Sequence, residues 1–264
     1  TGRKAYLDQD LWAREGHVVH IGLAHEADLV LIAPVSANTL AKLAHGIANN
    51  LLSVTALAAT CPLVLAPAMD AGMYAHPATQ QNVQMLKERG AEFIGPRPGH
   101  LASGLVGLGR FAEPETILSR VRFLLGKNGR LAGKRILLTA GPTQEALDPV
   151  RYISNRSSGK QGYAIAQALL DEGATVTLVS GPTNLPLPEG AQVIEVTSAA
   201  EMKDAVMTYL KDKDAFISVA AVADFTPSST AGEKIKKTGQ NLILELMPTV
   251  DILRTVSEER RRSN

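Results

Sequence analysis

Short, almost wholly apolar runs alternate with amphipathic stretches along this chain, and that alternation fixes the fold class. Ala27 to Pro34 reads as a buried strand and Ser36 to Ala58 as one long helix, with Ser36 as its N-cap. Pro62 to Met69 is the next strand. His76 to Arg89 is a helix closed by Gly90, and Glu113 to Leu125 is another. The stretch Gly126 to Gly133, rich in glycine and charge, breaks the pattern and is the expected domain boundary. The alternation then resumes: strands at Lys134–Thr139, Thr175–Ser180, Gln192–Val196, Ala215–Ala223 and Leu242–Leu246, and helices at Gly159–Glu172, Ala199–Lys211 and Asp251–Arg261. Strand and helix in turn imply an α/β chain with two doubly wound parallel-sheet domains, each sheet covered on both faces. The expected division is residues 1–126, a linker at 127–133, and residues 134–264.

Composition removes several function classes. The 264 residues carry 27 Lys plus Arg against 26 Asp plus Glu, so nothing in the balance calls for nucleic acid or an anionic membrane as a partner. Cys61 is the single cysteine, which excludes an internal disulfide framework and a cysteine-rich metal site and agrees with a reducing cytoplasm. No apolar run reaches the roughly 18 residues that span a bilayer. His17 and His20 are three apart, but no third ligand stands out, and no metal site is assigned from the histidines.

Open parallel sheets bind ligands where strands end and helices begin, so chemistry is sought in those loops. Pro34 to Thr39 offers Ser36, Asn38 and Thr39 at such a turn. Their pattern fits an anion or simple helix capping, and capping is the commoner use. Pro67 to Tyr74 places Met69, Asp70 and Met73 after a strand. The methionines could cover a flat aromatic group or fill core. Gly99 to Arg110, with glycines at 99, 104, 107 and 109, reads as a mobile flap or a plain connection. In the second half, Gly141 follows a strand, and Asn155, Ser157, Ser158, Gly159 and Lys160 form an anion-binding turn that opens a helix. The order required of a Walker A loop is missing. Ala220, Ala221 and Asp224 end a strand in a carboxylate, and Glu233 to Lys237 is a basic cluster suited to a triphosphate or simply to solvent.

Taken together and in order, these motifs resemble the bifunctional phosphopantothenoylcysteine decarboxylase / phosphopantothenate–cysteine ligase family. The resemblance rests on His20 to Ala24, Pro34 to Thr39 and Pro67 to Met73. It continues through Thr139 to Thr143, the run from Leu147 to Asn155, Ser157 to Lys160, Ala220 to Asp224 and Glu233 to Lys237. It implies a flavodoxin-like, Rossmann-like flavoprotein domain followed by a Rossmann-like ligase domain. The implied ligase activates the carboxylate of 4′-phosphopantothenate with CTP and Mg2+, forming an acyl-cytidylate that the amine of cysteine attacks. The implied decarboxylase uses FMN to turn the product into 4′-phosphopantetheine.

By the same resemblance His20 is the catalytic histidine, Ser36, Asn38 and Thr39 touch the flavin, and Met69 and Met73 belong to the flavin and substrate loop. Asn155 handles the acyl-cytidylate, Lys234 is required for its chemistry, and Asp224 with the Ala220 and Ala221 backbone holds the cytidine. Gly141, Ser157, Ser158, Gly159 and Lys160 are expected at the nucleotide. Two positions depart from the family pattern. Asp70 stands where many relatives have an asparagine that meets the substrate carboxylate, and it would repel that group unless it stays protonated. Ser103 stands where many have a proton-donating cysteine, so the proton is expected from another group or water. A regulatory flavin- or nucleotide-binding module with lost decarboxylase activity is the alternative, and an NAD-linked oxidoreductase a weaker one. The resemblance also implies a homo-oligomer. Thr1 to Lys4 and the arginine-rich end carry neither an initiator methionine nor a signal pattern, so a fragment cut at both ends is expected, one that binds FMN poorly and shows little ligase turnover by itself.

Overall fold

The structure is a computed structural model that describes residues 2–12, 18–237, 239 and 241–263. His17 lies outside the described residues. The chain divides into two compact units, Thr1–Val121 and Arg122–Asn264.

The first unit opens with a short 3-10 helix, Asp8–Trp12, and α1, Val19–Glu26. A three-stranded parallel sheet follows, in the order β1 (Val30–Val35), β2 (Leu63–Pro67), β3 (Glu92–Phe93). The expected single helix from Ser36 to Ala58 is two: α2, Ala37–His45, and α3, Leu51–Ala58. Gly46 takes the left-handed conformation (φ 69°) that ends a helix, and Asn50 with Ser53 builds a capping box that starts the next. Helices α4 (Ala71–Ala75) and α5 (Pro77–Glu88) lead to β3. Strand β2 is buried from Val64 to Pro67, but Leu31 on β1 is 40% exposed, so coverage on both faces fails at that edge. Ile32, Val35, Leu40, Ala44, Leu65, Val83 and Leu86 form the core between β1, β2, α2 and α5.

The expected flap is instead an antiparallel hairpin, β4 (Arg97–His100) and β5 (Val106–Arg110). Its glycines serve close packing. A Cβ on Gly109 would overlap the Met69 carbonyl oxygen, and one on Gly107 would lie 2.6 Å from the Ala71 Cβ. Helix α6, Pro114–Gly126, follows, and the division between the units falls within it.

The second unit holds a four-stranded parallel sheet built from β6 (Arg135–Ala140), β9 (Thr175–Ser180), β10 (Gln192–Glu195) and β11 (Ala215–Ser218), in the spatial order β10-β9-β6-β11. The first strand in sequence is therefore central, with later strands added on each side. Side chains alternate faces. Ile136, Leu138 and Ala140 pack on α7 (Lys160–Asp171), and Leu137 and Val179 on α8 (Ala199–Tyr209) and α9 (Ile252–Ser263). Leu137, Leu138 and Leu178 are fully buried, each contributing about 1.5–3 kcal/mol. The sheet is thus wound on both faces, and its topological switch lies between β6 and β11, where ligands are accommodated.

Smaller antiparallel pairs flank that point: β7 (Gln144–Ala146) with β8 (Tyr152–Ser154), and β12 (Phe225–Pro227) with β13 (Leu246–Pro248). The strand expected over Ala215–Ala223 stops at Ser218, because the next peptides turn to buried hydroxyls: Val219 and Ala220 donate to Thr139 Oγ1, and Ala223 to Thr143 Oγ1. The expected strand Leu242–Leu246 is shifted to β13. Residues 127–133 form turns, with the Leu131 N–H donating to the Glu172 carbonyl.

Candidate functional site

In the first unit the loops after β1 and β2 carry the expected residues. Ser36 caps α2, accepting from the Thr39 N–H at 3.3 Å, and its hydroxyl lies 3.1 Å from the Thr39 hydroxyl. The capping use of this turn is the one the structure contains. The Asn38 amide is exposed and has no hydrogen-bond partner among the described residues. Met69 packs against the core, the bland reading for a methionine, and its N–H donates to the Gly109 carbonyl. Met73 is 52% exposed. His20, in the first turn of α1, has a buried Nδ1 with no hydrogen-bond partner among the described residues. Thr55 Oγ1 is in the same condition on α3, the helix that α1 packs against.

The two departures noted in the sequence meet in space. Ser103 donates its hydroxyl to Asp70 Oδ2 at 2.7 Å, and the Gly72 N–H donates to Asp70 Oδ1 at 2.9 Å. The Ser103 bond foremost, then the Gly72 N–H, hold the Asp70 carboxyl below its ordinary range. The protonated aspartate left open by the sequence is therefore replaced by a carboxylate. The Ser103 proton is directed at that carboxylate, which makes Ser103 a poor acid toward anything else.

In the second unit two loops close on each other at the sheet's switch point. The Ala221 N–H donates to the Gly141 carbonyl at 2.9 Å, and the Thr143 N–H returns to the Ala221 carbonyl at 3.3 Å. Asn155 then bridges, its Nδ2 donating to the Ala221 and Val222 carbonyls at 3.1 Å each. Ser218, residues 220–224 and residues 249–253 line a cavity of about 330 Å³. Ala220, Ala221 and Asp224 are in that lining, while Asn155 and Lys234 are not. The Asp224 side chain is exposed, and its carbonyl accepts from the Thr249 N–H.

Helix α7 starts beside these loops. Gly159 is its N-cap at φ 73°, with no side-chain cap, and a Cβ there would press on Thr183 Cγ2 and come within 3.3 Å of Gly141 Cα. Ser157 Oγ accepts from the Gly159 N–H at 3.3 Å. Ser158 Oγ accepts from the Lys160 N–H at 3.5 Å, and the N–H groups of the turn after it have no side-chain cap from Gly159, an arrangement that favours an anion.

Ile235, the neighbour of Lys234, is held by residues far off in sequence that were given no role above. Asp148 is 2% exposed, and its carboxylate accepts from the Val150, Arg151 and Ile235 N–H groups and from the Arg151 guanidinium. Arg151 foremost holds the Asp148 carboxyl far below the usual range. Buried Thr139, Thr143 and Glu145 were also missed. Glu145 is 4% exposed and accepts from the Ala199 N–H at the start of α8. Thr139, Thr143 and Asp148 lay inside motifs that carried the resemblance, but nothing local in the sequence gave their side chains a role.

Because the folded pKa of Asp148 is depressed, its contribution to stability is complete above the ordinary value of 3.8 and is lost as pH falls below it. Melting curves of the parent and Asp148→Asn should therefore keep a constant gap above that pH and converge below it. A gap unchanged into strong acid would show that the carboxylate is not the source.

Among the described residues no helix is long and apolar enough to cross a membrane, and no three His, Cys, Asp or Glu residues are grouped to hold a metal ion. Comparison with known proteins places both units. The family described as "Flavoprotein" matches residues 1–126, and "DNA/pantothenate metabolism flavoprotein C-terminal domain" matches residues 131–264. The coenzyme A biosynthesis bifunctional protein CoaBC of Bacillus subtilis (strain 168) is 47% identical over 247 residues, which is 92% of this chain and 61% of that protein. The chain thus spans less than two thirds of that relative's length.

A cysteine/cysteine sulfinic acid decarboxylase from an unknown prokaryotic organism is 47% identical over 249 residues, 92% of this chain and 69% of that protein. Among solved structures, the C-terminal domain of a coenzyme A biosynthesis bifunctional protein CoaBC is 47% identical over 48% of this chain and 59% of its own, with a TM-score of 0.42. A PPC decarboxylase mutant complexed with pantothenoylaminoethenethiol is 43% identical over 44% of this chain and 68% of its own, with a TM-score of 0.43. With a relative matched over 69% of its length and the C-terminal family spanning residues 131–264, the chain belongs to the DNA/pantothenate metabolism flavoprotein family.

Proposed function

We propose that the chain carries two successive steps of coenzyme A biosynthesis. The second, Rossmann-like unit would be a ligase joining cysteine to 4′-phosphopantothenate at the expense of CTP. The first, flavodoxin-like unit would decarboxylate the resulting 4′-phosphopantothenoylcysteine with FMN. The observation that carries the reading is the Asn155 bridge to the Ala221 and Val222 carbonyls, which ties the turn before α7 to the loop of the cavity holding Asp224.

In the ligase step a carboxylate oxygen of phosphopantothenate attacks the α-phosphorus of CTP and pyrophosphate leaves. The cysteine amine then attacks the acyl carbon and CMP leaves. Ser157, Ser158, Gly159 and Lys160 would hold phosphates, with Gly141 leaving room for their approach. Asp224 would hold the ribose hydroxyls, and Lys234 would offset the charge that builds on departing phosphate. Mg2+ would arrive with the triphosphate.

The first unit fits a flavin: His20 presents an orphaned Nδ1, Asn38 a free amide, and Ser36 and Thr39 two hydroxyls at a helix start. FMN, when bound, supplies the electron sink that thiol oxidation and loss of carbon dioxide require. His20 would hold or move a proton at its unpartnered nitrogen, and Met69 and Met73 would flank the site.

Two measurements on the purified chain test this: flavin retained after purification, and pyrophosphate released from CTP only when phosphopantothenate is present. Pyrophosphate release that does not depend on that acid would remove the ligase assignment. The Asp70 carboxylate adds a prediction, since by the family resemblance this position would meet the substrate carboxylate. Asp70→Asn should lower the KM of the decarboxylation substrate about tenfold, the scale of one like charge removed from a solvent-open site. An unchanged KM would show that Asp70 does not face that carboxylate.

A further inference from the structure

The segment from Ser228 to Lys237 contains no helix or strand after β12, yet it is tethered at several points. The Thr230 hydroxyl donates to the Ala146 carbonyl at 3.1 Å and the Ala231 N–H to the Leu147 carbonyl at 3.0 Å. The strongest tether is at Ile235, where both halves of one residue's backbone are gripped. Its N–H donates to Asp148 Oδ2 at 3.1 Å, and its carbonyl accepts from Arg151 Nη2 at 2.7 Å. Arg151 is itself fixed by the same carboxylate, through Nε at 2.9 Å and Nη2 at 2.5 Å. The Val150 and Arg151 N–H groups, each at 2.8 Å, occupy the other carboxylate oxygen. The Asp148 side chain is wholly buried while the Arg151 side chain is 43% exposed, and the bonds to the Asp148 carboxylate are charge-assisted.

Three lysines flank this grip: Lys234 next to Ile235 on one side, Lys236 and Lys237 on the other. None forms an ion pair with a described residue. Like charges so close repel one another and favour an extended, mobile segment. Holding one peptide in their midst fixes the Cα of Lys234 without touching its ammonium group, which stays available to a ligand.

We infer that Asp148 is a positioning residue: with Arg151 it clamps the Ile235 peptide and thereby sets Lys234 for a nucleoside triphosphate. The inference rests on the ligase reading for the identity of the ligand, and the clamp itself does not. Asp148→Asn keeps the shape but replaces one acceptor with a donor, which then faces N–H groups on every side. Arg151→Lys keeps a cation for Asp148 but cannot reach both the carboxylate and the Ile235 carbonyl in one plane.

The test uses the whole chain and two readouts. Trypsin cuts after Lys234, Lys236 and Lys237, so its rate there reports release of the segment. It should rise at least tenfold in Asp148→Asn, less in Arg151→Lys, and not at all at other lysines. Calorimetric titration with CTP and Mg2+ is then run on the parent, Asp148→Asn, Lys234→Gln and the double variant. Asp148→Asn should weaken binding about tenfold, and the double variant should bind no more weakly than Lys234→Gln. Cleavage at the parental rate in both clamp variants overturns the clamp. Losses that multiply in the double variant overturn its action through Lys234. A globally unfolded Asp148→Asn, cut everywhere, leaves the decision to Arg151→Lys. A parent that cleaves as expected but binds no CTP would sink the ligase reading and leave the clamp standing.

Discussion

Gly181→Ala is expected to lower the melting temperature of the second unit by roughly 10 °C and to abolish any activity that depends on its first loop. The added Cβ would overlap the Pro142 carbonyl oxygen and lie 2.8 Å from the Pro142 carbonyl carbon. Those are backbone atoms, so no rotamer change relieves the clash. Nor can the loop withdraw. The Gly181 N–H donates to the Ala140 carbonyl at 2.9 Å, Gly141 and Thr143 are bonded to Ala221, and the Thr143 hydroxyl accepts from the Ala223 N–H at 2.9 Å. Overpacking of this kind costs about 1–3 kcal/mol, and more where the main chain must move. About 3 kcal/mol in a unit of this size corresponds to the stated shift, at ~2–4 °C per kcal/mol. Gly232→Ala is the control: a Cβ there meets nothing within 4 Å, and its melting temperature should be parental. A Gly181→Ala chain that melts with the parent would mean that the two loops are not packed as described.

That loop junction also shows what could be read in advance. Strand β9 was legible to the residue, because a short run rich in β-branched residues bounded by Gly173 and Gly181 has few other uses. The start of α8 was legible from Ala199, with Ser198 and Glu201 making the capping box that the structure contains. Ala215 to Ala223 misled because it is almost wholly apolar, and apolarity alone does not tell a strand from a buried turn held by hydroxyls. The hairpin β4–β5 misled because glycines that permit contact and glycines that permit motion look alike in sequence. At the site, local groups were found and distant partnerships were not. Asn155 reaches residues 66 and 67 positions away, Arg151 reaches across 84, and Ser103 finds Asp70 across 33. Pairings over such separations depend on the folded sheet, so no periodicity encodes them.

His20→Phe should separate stability from activity in the first unit. A buried polar atom left without a partner costs about 1–3 kcal/mol, and His20 Nδ1 is such an atom. Phenylalanine offers a flat ring of similar reach with no polar atom to desolvate. The variant should therefore melt no lower than the parent. Were His20 merely filling space, activity would survive along with the fold. If instead it holds or moves a proton during decarboxylation, turnover should fall at least about a hundredfold, the usual contribution of a positioned acid or base. Decarboxylation is followed as carbon dioxide released from 4′-phosphopantothenoylcysteine with FMN added in excess, so that weakened flavin binding is not mistaken for lost chemistry. A drop in melting temperature with turnover intact would make the histidine structural. A stable, flavin-loaded, inactive variant would show that this orphaned nitrogen is retained at a cost to the fold because the reaction uses it.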